Sequence, residues 1–478
     1  MCIRHLILAL GLAAGVAYAD DLPDLGDVAQ ASFTPQQERA LGESIMRQIR
    51  QDKAYVDDPE LTDYLNDLGY RLVSQSPEYR QEFEFFVILD PSVNAFALPG
   101  GFIGVHTGLF LTAQSESEFA SVLSHEIAHV TQRHIARMIA GQKQQTILSI
   151  AAMAVAVLAS RGSAQLSQAA IAAAGAGAIQ SQLNYTREHE READRIGFQV
   201  LDRSGFDVNA MPLFFERLQR ATRTYESNAP SYLRTHPLTT ERIADMRNRA
   251  ESAPYRLVTD SIDFQLLRAK IRANTEPPKE ALAFFQESVG EKKFVNEAAA
   301  RYGLVTALLR AQQYAQAKEE LRKLRTILPS NPIVETLAGR VLTASGDLPG
   351  AIAFYRSALS SHPRYRALVF DYAAALLQNR QAADALKFVN EQLQIYPNDP
   401  HLYELEARAY AALGKKLQQH RAQAESYALL GNLTAAIDQL QLGLKAGDGD
   451  FYQLSSAEAR LRELRSAEIE IKQDSKEK

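Results

Sequence analysis

ESEFASVLSHEIAHVTQRHIARMIA, residues 116–140, decides how the first half of this chain folds. Its apolar residues Phe119, Val122, Leu123, Ile127, Val130, Ile135 and Met138 recur at helical spacing, which predicts one amphipathic helix through the whole stretch. A helix turns about 100° per residue, so His125 and His129 lie a turn apart on one face and can grip a single ion. Glu126 falls between them. In the H-E-x-x-H pattern two neutral imidazoles bind Zn²⁺ and the glutamate acts as general base. On a continuous helix His134, nine residues past His125, points off the opposite side and does not join them.

A catalytic zinc takes three protein ligands and keeps one position for water. The next acidic cluster, NYTREHEREADRIGFQVL at 184–201, offers Glu188, Glu190, Glu192 and Asp194. Of these, Glu190 and Asp194 are one turn apart and share a face. An aspartate placed one turn from a glutamate ligand can accept the outer N–H of a ligating histidine, fixing its tautomer and raising its basicity. The rival layout H-E-x-x-H-x-x-G-x-x-H needs glycine at position 132 and histidine at position 135; Gln132 and Ile135 exclude a third histidine on that pattern. His189 turns away from the Glu190 face by about 100° and is expected at the surface.

The 478 residues favour two to four domains, and 46% hydrophobic with 23% charged residues is an ordinary soluble composition. A net charge of -5 offers no attraction to nucleic acid. The start, MCIRHLILALGLAAGVAYAD, has Arg4 and His5, an apolar run from Leu6 to Val16, and Ala17-Tyr18-Ala19 before Asp20. This predicts a signal peptide over 1–19, followed by a linker over 20–32. The single cysteine, Cys2, lies inside the removed segment, so the mature chain carries no thiol, which suits an oxidising compartment such as a bacterial periplasm. Cys2 also stands too early to accept a lipid anchor. ILSIAAMAVAVLAS at 147–160 is apolar but short of the roughly 20 residues a span needs, leaving a packed core or a membrane-touching hairpin.

Residues 33–250 read as one mainly helical domain with a small sheet. Thr34 followed by Pro35 is a helix start. FEFFVILD at 83–90 is the best strand, and NAFALPGGFIGVHTGL at 94–109 carries a Pro99-Gly100-Gly101 turn between two extended runs, a hairpin. An exposed edge there can hold a substrate backbone as an added strand. From about 260 to 450 the pattern changes. Pro329, Pro363 and Pro397 stand 34 apart, as do Ala317, Ala351 and Ala385, the period of tetratricopeptide repeats, in which helix pairs stack into an α-solenoid. PPKEALAFFQESV at 277–289 reads as an earlier unit, and ESYALLGNLTAAIDQLQLGL at 425–444 as a last one displaced by an inserted helix around KKLQQHRAQ. Residues 451–478 read as a charged tail.

HEIAH followed by EREAD, with NAFALPGG upstream and THPLTTERI downstream, resembles the M48 peptidases, a gluzincin family of zinc metalloproteases. The resemblance covers about 33–250. It implies one Zn²⁺ per chain on His125, His129 and Glu190, with Glu126 as base and Asp194 behind a ligand. It also implies that His236 and Arg242 stabilise the tetrahedral intermediate. Signal peptide and repeats together point to the periplasmic members, whose substrates would be unfolded or misassembled outer-membrane β-barrel proteins. The repeats would dock onto the assembly machinery of that membrane. A different class of function, a periplasmic chaperone or scaffold with a structural metal, is disfavoured by the intact base, because a structural zinc closes with four ligands and has no use for Glu126. His236 precedes Pro237, which holds it extended on a loop beside the helix start at Thr239 or Thr240. Such an imidazole can hydrogen-bond the oxyanion or occupy the fourth metal position and hold the enzyme latent.

Overall fold

The computed structural model describes residues 33–76, 81–140, 187–224 and 231–477. The expected signal peptide, the linker over 20–32 and the apolar stretch at 147–160 lie outside the described residues. Helices α1 (Pro35–Ile49) and α2 (Pro59–Val73) lead into strands β1 (Glu84–Ile88), β2 (Ala95–Leu98) and β3 (Phe102–His106). Thr34 and Gln37 close a reciprocal capping box on α1, satisfying amides that helix geometry leaves without partners. The sheet order is β1-β3-β2, with β1 parallel and β2 antiparallel to β3. The β2–β3 turn is the expected hairpin; Gly100 and Gly101 adopt φ of 78° and 90°, a region only glycine enters freely.

Next come α3 (Thr107–Thr112), α4 (Glu116–Thr131), α5 (His134–Ala140), α6 (Arg187–Arg203), α7 (Ala210–Thr224), α8 (Ser231–Thr235) and α9 (Thr240–Ser252). The single helix expected over 116–140 is two. Arg133 takes a left-handed φ of 51° and breaks it. Its guanidinium donates to Glu38 at 2.5 Å and to the Phe33 carbonyl at 2.6 Å, so contacts to the start of α1 hold the reversal in place. Nor is α4 amphipathic: every one of its residues is buried, as befits a helix covered on all sides. The sheet lies on one flank and α6 on another. α6 crosses closely because Gly197 has no side chain; a Cβ there would come within 3.0 Å of the His125 backbone.

The remaining helices are α10 (Ile262–Thr275), α11 (Pro278–Gly290), α12 (Glu297–Arg310), α13 (Tyr314–Ile327), α14 (Pro332–Ala344) and α15 (Leu348–Ser361). They continue as α16 (Arg366–Gln378), α17 (Ala382–Leu393), α18 (Pro400–Ala412), α19 (Lys416–Leu429), α20 (Leu433–Leu444) and α21 (Phe451–Glu477). Ala317, Ala351 and Ala385 fall in α13, α15 and α17 and are completely buried, which is why the repeat admits only a small residue there. KKLQQHRAQ is no insertion: it forms the first half of α19, continuous with ESYAL. The segment read as a tail is α21, whose Ala457, Leu461 and Leu464 pack into the last hydrophobic cluster.

One hydrophobic cluster runs from Leu61 through the sheet and α4 into Val341, so repeats and N-terminal half share a core. Phe264 of α10 lies 5.8 Å from Phe119 and 6.3 Å from Tyr64 between ring centroids. Around it, buried Glu60 pairs with Lys270, which also sits 2.5 Å from Asp58, and Arg366 bridges Asp63 and Asp399.

Candidate metal centre

Helix α4 delivers His125 and His129, α6 delivers Glu190, and the turn after α8 delivers His236. Ligand atoms of these four buried residues all lie within 4.8 Å of one another. The Nε2 atoms of His125 and His129 are 3.0 Å apart; Glu190 stands 3.6 Å from the first and 3.4 Å from the second. Donors bound to one zinc at about 2.0–2.1 Å in a tetrahedron are roughly 3.3 Å apart, so this set fits such an ion. His236 Nδ1 is 3.0 Å from Glu190 Oε1 and 3.4 Å from His125 Nε2, at the fourth corner.

The imidazoles are oriented from behind. Asp194 Oδ1 is 3.0 Å from His125 Nδ1, and His134 Nδ1 is 2.8 Å from His129 Nδ1. The expectation that His134 points away assumes an unbroken helix; the reversal at Arg133 returns it to His129. His189 is likewise not a surface residue: half-buried, it stacks on His134 with centroids 4.5 Å apart. Thr239 caps α9 and so aims Arg242 inward. Arg242 donates to Asp194 at 2.6 and 2.8 Å, to the Pro237 carbonyl at 2.8 Å, and lies 2.7 Å from Glu190.

Charge follows geometry. Burial disfavours an ionised Glu190, but the His236 charge and its histidine hydrogen bonds prevail and hold it well below the carboxylate range. Burial likewise opposes ionised Asp194, and the Arg242 guanidinium overcomes it. The His125 imidazole, depressed by burial, is raised to about 9 by Asp194 and Glu190. Burial drives His129 well down, leaving it a neutral donor for a metal. Glu126 is completely buried, its Oε1 lies 3.5 Å from His236 Nε2, and burial raises its pKa, as proton exchange demands.

Tyr232 gave no signal in the sequence. It is 1% exposed, stacks on His236 at 4.7 Å and 27°, and its phenol is pushed well up by burial and by the Glu126 and Glu190 charges.

Two histidines and a glutamate converging on one buried point, with a second glutamate beside them, define a metallopeptidase site of the H-E-x-x-H type. The model of peptidase family M48 matches residues 59–250, and a tetratricopeptide repeat model matches 342–409. A putative β-barrel assembly-enhancing protease of Vibrio cholerae serotype O1 is 36% identical over 419 residues, 87% of this chain and 86% of that one. The β-barrel assembly-enhancing protease of Escherichia coli K12 is 35% identical over 457 residues, 95% and 93% of the two chains. The metalloprotease LoiP of the same organism is 28% identical over 190 residues, 40% of this chain and 69% of its own. The chain belongs to peptidase family M48.

Proposed function

We propose that this chain is a zinc-dependent endopeptidase of the periplasm that acts on unfolded or misassembled outer-membrane β-barrel proteins. Residues 33–250 form its peptidase part, and the repeats over 260–450 dock to the assembly machinery. The observation that carries the reading is Glu126, completely buried beside three residues fit to hold one metal ion. The relatives' names support the link to β-barrel assembly. No helix among the described residues is long and apolar enough to cross a membrane.

His125, His129 and Glu190 would hold the ion; the chemistry it would supply when bound is Lewis acidity towards a peptide carbonyl and towards water. Glu126 takes a proton from the attacking water and returns it to the leaving amine nitrogen. Arg242 acts chiefly as a positioning residue, since four of its N–H groups face Asp194, Glu190 and the Pro237 carbonyl. Asp194 keeps the His125 ring in place. Strand β2 aligns the substrate. Asn94 accepts from His106, so the alternation of an antiparallel pair turns the amides and carbonyls of Ala95 and Ala97 outward, along α4 and towards Glu126.

The test compares cleavage of β-casein by the wild type and Glu126→Gln, each with and without chelator. Chelator-sensitive cleavage that vanishes in a variant retaining its zinc supports the reading; equal cleavage by both proteins overturns it. A scaffold with a structural metal predicts no chelator-sensitive cleavage by either.

A further inference from the structure

The oxyanion of peptide hydrolysis needs a hydrogen-bond donor beside the metal, and the residues expected to give one are differently engaged. Arg242 is committed to carboxylates, and His236 turns Nδ1 towards Glu190. A further donor lies in the chamber. The Tyr232 hydroxyl is buried and has no hydrogen-bond partner among the described residues. Sequestering a hydroxyl without a partner is unfavourable, so its persistence calls for an acceptor that arrives with a ligand.

Tyr232 is also held where a substrate would lie. Its backbone N–H donates to the Val93 carbonyl at 3.1 Å, two residues before β2 begins, while its own carbonyl accepts from His236 N at 2.8 Å. Its ring lies against the His236 ring and 6.3 Å from that of His125. The Tyr232 backbone is thus tied to the approach to β2 while its ring packs beside two histidines of the metal cluster.

We propose that Tyr232 is a further catalytic residue, whose hydroxyl donates a hydrogen bond to the carbonyl oxygen of the peptide bond being cleaved; the assignment rests on the peptidase reading. Water oxygen bonds to the carbonyl carbon, one water proton passes to Glu126, and negative charge gathers on the carbonyl oxygen facing Tyr232. The C–N bond then breaks, Glu126 hands its proton to the amine nitrogen, and the products are a carboxylic acid and an amine. Tyr232 keeps its own proton throughout.

Full-length Tyr232→Phe removes the hydroxyl and keeps the stacked ring. Against β-casein its kcat should fall about 10²-fold, the loss expected for one oxyanion donor, with KM and zinc content unchanged. Binding of an N-phosphoryl dipeptide, whose tetrahedral phosphorus imitates the addition intermediate, should weaken in parallel, while binding of a product peptide should not. Wild-type kcat and unchanged phosphoryl-dipeptide affinity in Tyr232→Phe overturn the assignment and leave the peptidase reading intact. A kcat loss accompanied by equal loss of zinc or of thermal stability overturns it too, by showing a packing role. Absence of chelator-sensitive casein cleavage by the wild type removes the peptidase reading, and the assignment with it.

Discussion

His129 turns its Nδ1 to His134 Nδ1, 2.8 Å away, and its Nε2 to the cluster. Glu192 lies 3.2 Å from His134 Nε2 and can only accept, so neutral His134 carries its proton there, its Nδ1 accepts from His129 Nδ1–H, and His129 Nε2 is left free for a metal. Burial drives His134 down to about 2, so it stays neutral. His134→Ala should weaken zinc binding about 10- to 100-fold with the fold intact, the usual loss for a partner behind a ligand. Competition against a chromophoric chelator measures it, and an unaltered zinc dissociation constant removes His134 from the site.

Gly197 sets the distance between the helices that carry Glu190 and His125. A Cβ at Gly197 meets His125 Cα, His125 N and Ser124 O at 3.0 Å. Those are backbone atoms, which cannot rotate aside. Gly197→Val should push α6 off α4, separate Glu190 from the histidines and lower zinc content below half, while the far-UV spectrum of this mainly helical protein hardly changes. Full zinc occupancy in that variant shows that the crossing does not set the ligand spacing.

The sequence carried the ligand spacing because two histidines a turn apart and a glutamate with an aspartate one turn on need only local helix geometry. It also carried the repeat period, which follows from a small residue recurring where helices touch. His134 was misplaced because its position depends on the turn at Arg133, and that turn depends on Glu38 and Phe33, about a hundred residues away. For the same reason the contacts of Arg242 with Asp194 and Glu190 were hidden: nothing local shows them. Tyr232 is invisible without the tertiary fold, since neither its stacking on His236 nor its bond to Val93 has a sequence pattern.

Glu60 ties α2 to the repeats. Buried, it pairs with Lys270, lies 3.6 Å from Arg340 and accepts from Tyr365 at 3.4 Å. Glu60→Ala leaves the Lys270 ammonium buried, with Asp58 as its remaining close acid. Removing one partner of a buried ion pair costs about 3–5 kcal/mol, so the urea midpoint should drop markedly. Because the core is shared, both halves should unfold earlier together. A variant whose N-terminal half keeps its original midpoint shows that the halves unfold independently.

Glu406 of α18 makes stability depend on pH. Burial raises its carboxyl to about 7, against an ordinary 4.5. The folded state thus holds a proton that the unfolded chain releases, and this contribution is complete below about pH 4.5 and lost as pH rises through about 7. A shift of this size corresponds to roughly 3–4 kcal/mol. Glu406→Gln cannot ionise, so it should be more stable than the wild type at pH 8 and nearly equal at pH 4.5. Parallel stability curves for the two proteins between those values show that Glu406 does not titrate as described.

His236 stands where a catalytic water is needed. Its Nδ1 faces Glu190 at 3.0 Å and His125 at 3.4 Å, and its Nε2 lies 3.5 Å from Glu126 Oε1, so one ring fills the fourth corner and crowds the base. A ring in that place keeps water from both and holds the site latent. Rotation about its own Cα–Cβ bond clears the corner without touching the backbone bonds that join His236 to Tyr232 and Tyr232 to Val93. His236→Ala should therefore raise basal cleavage of β-casein several-fold and weaken zinc binding, since the ring is the fourth donor of the resting set. A histidine whose main service is to the transition state gives the opposite sign, kcat and kcat/KM falling together. Both proteins are measured at saturating zinc, so that weaker metal binding does not masquerade as lost catalysis. A fall in cleavage there dismisses the latch.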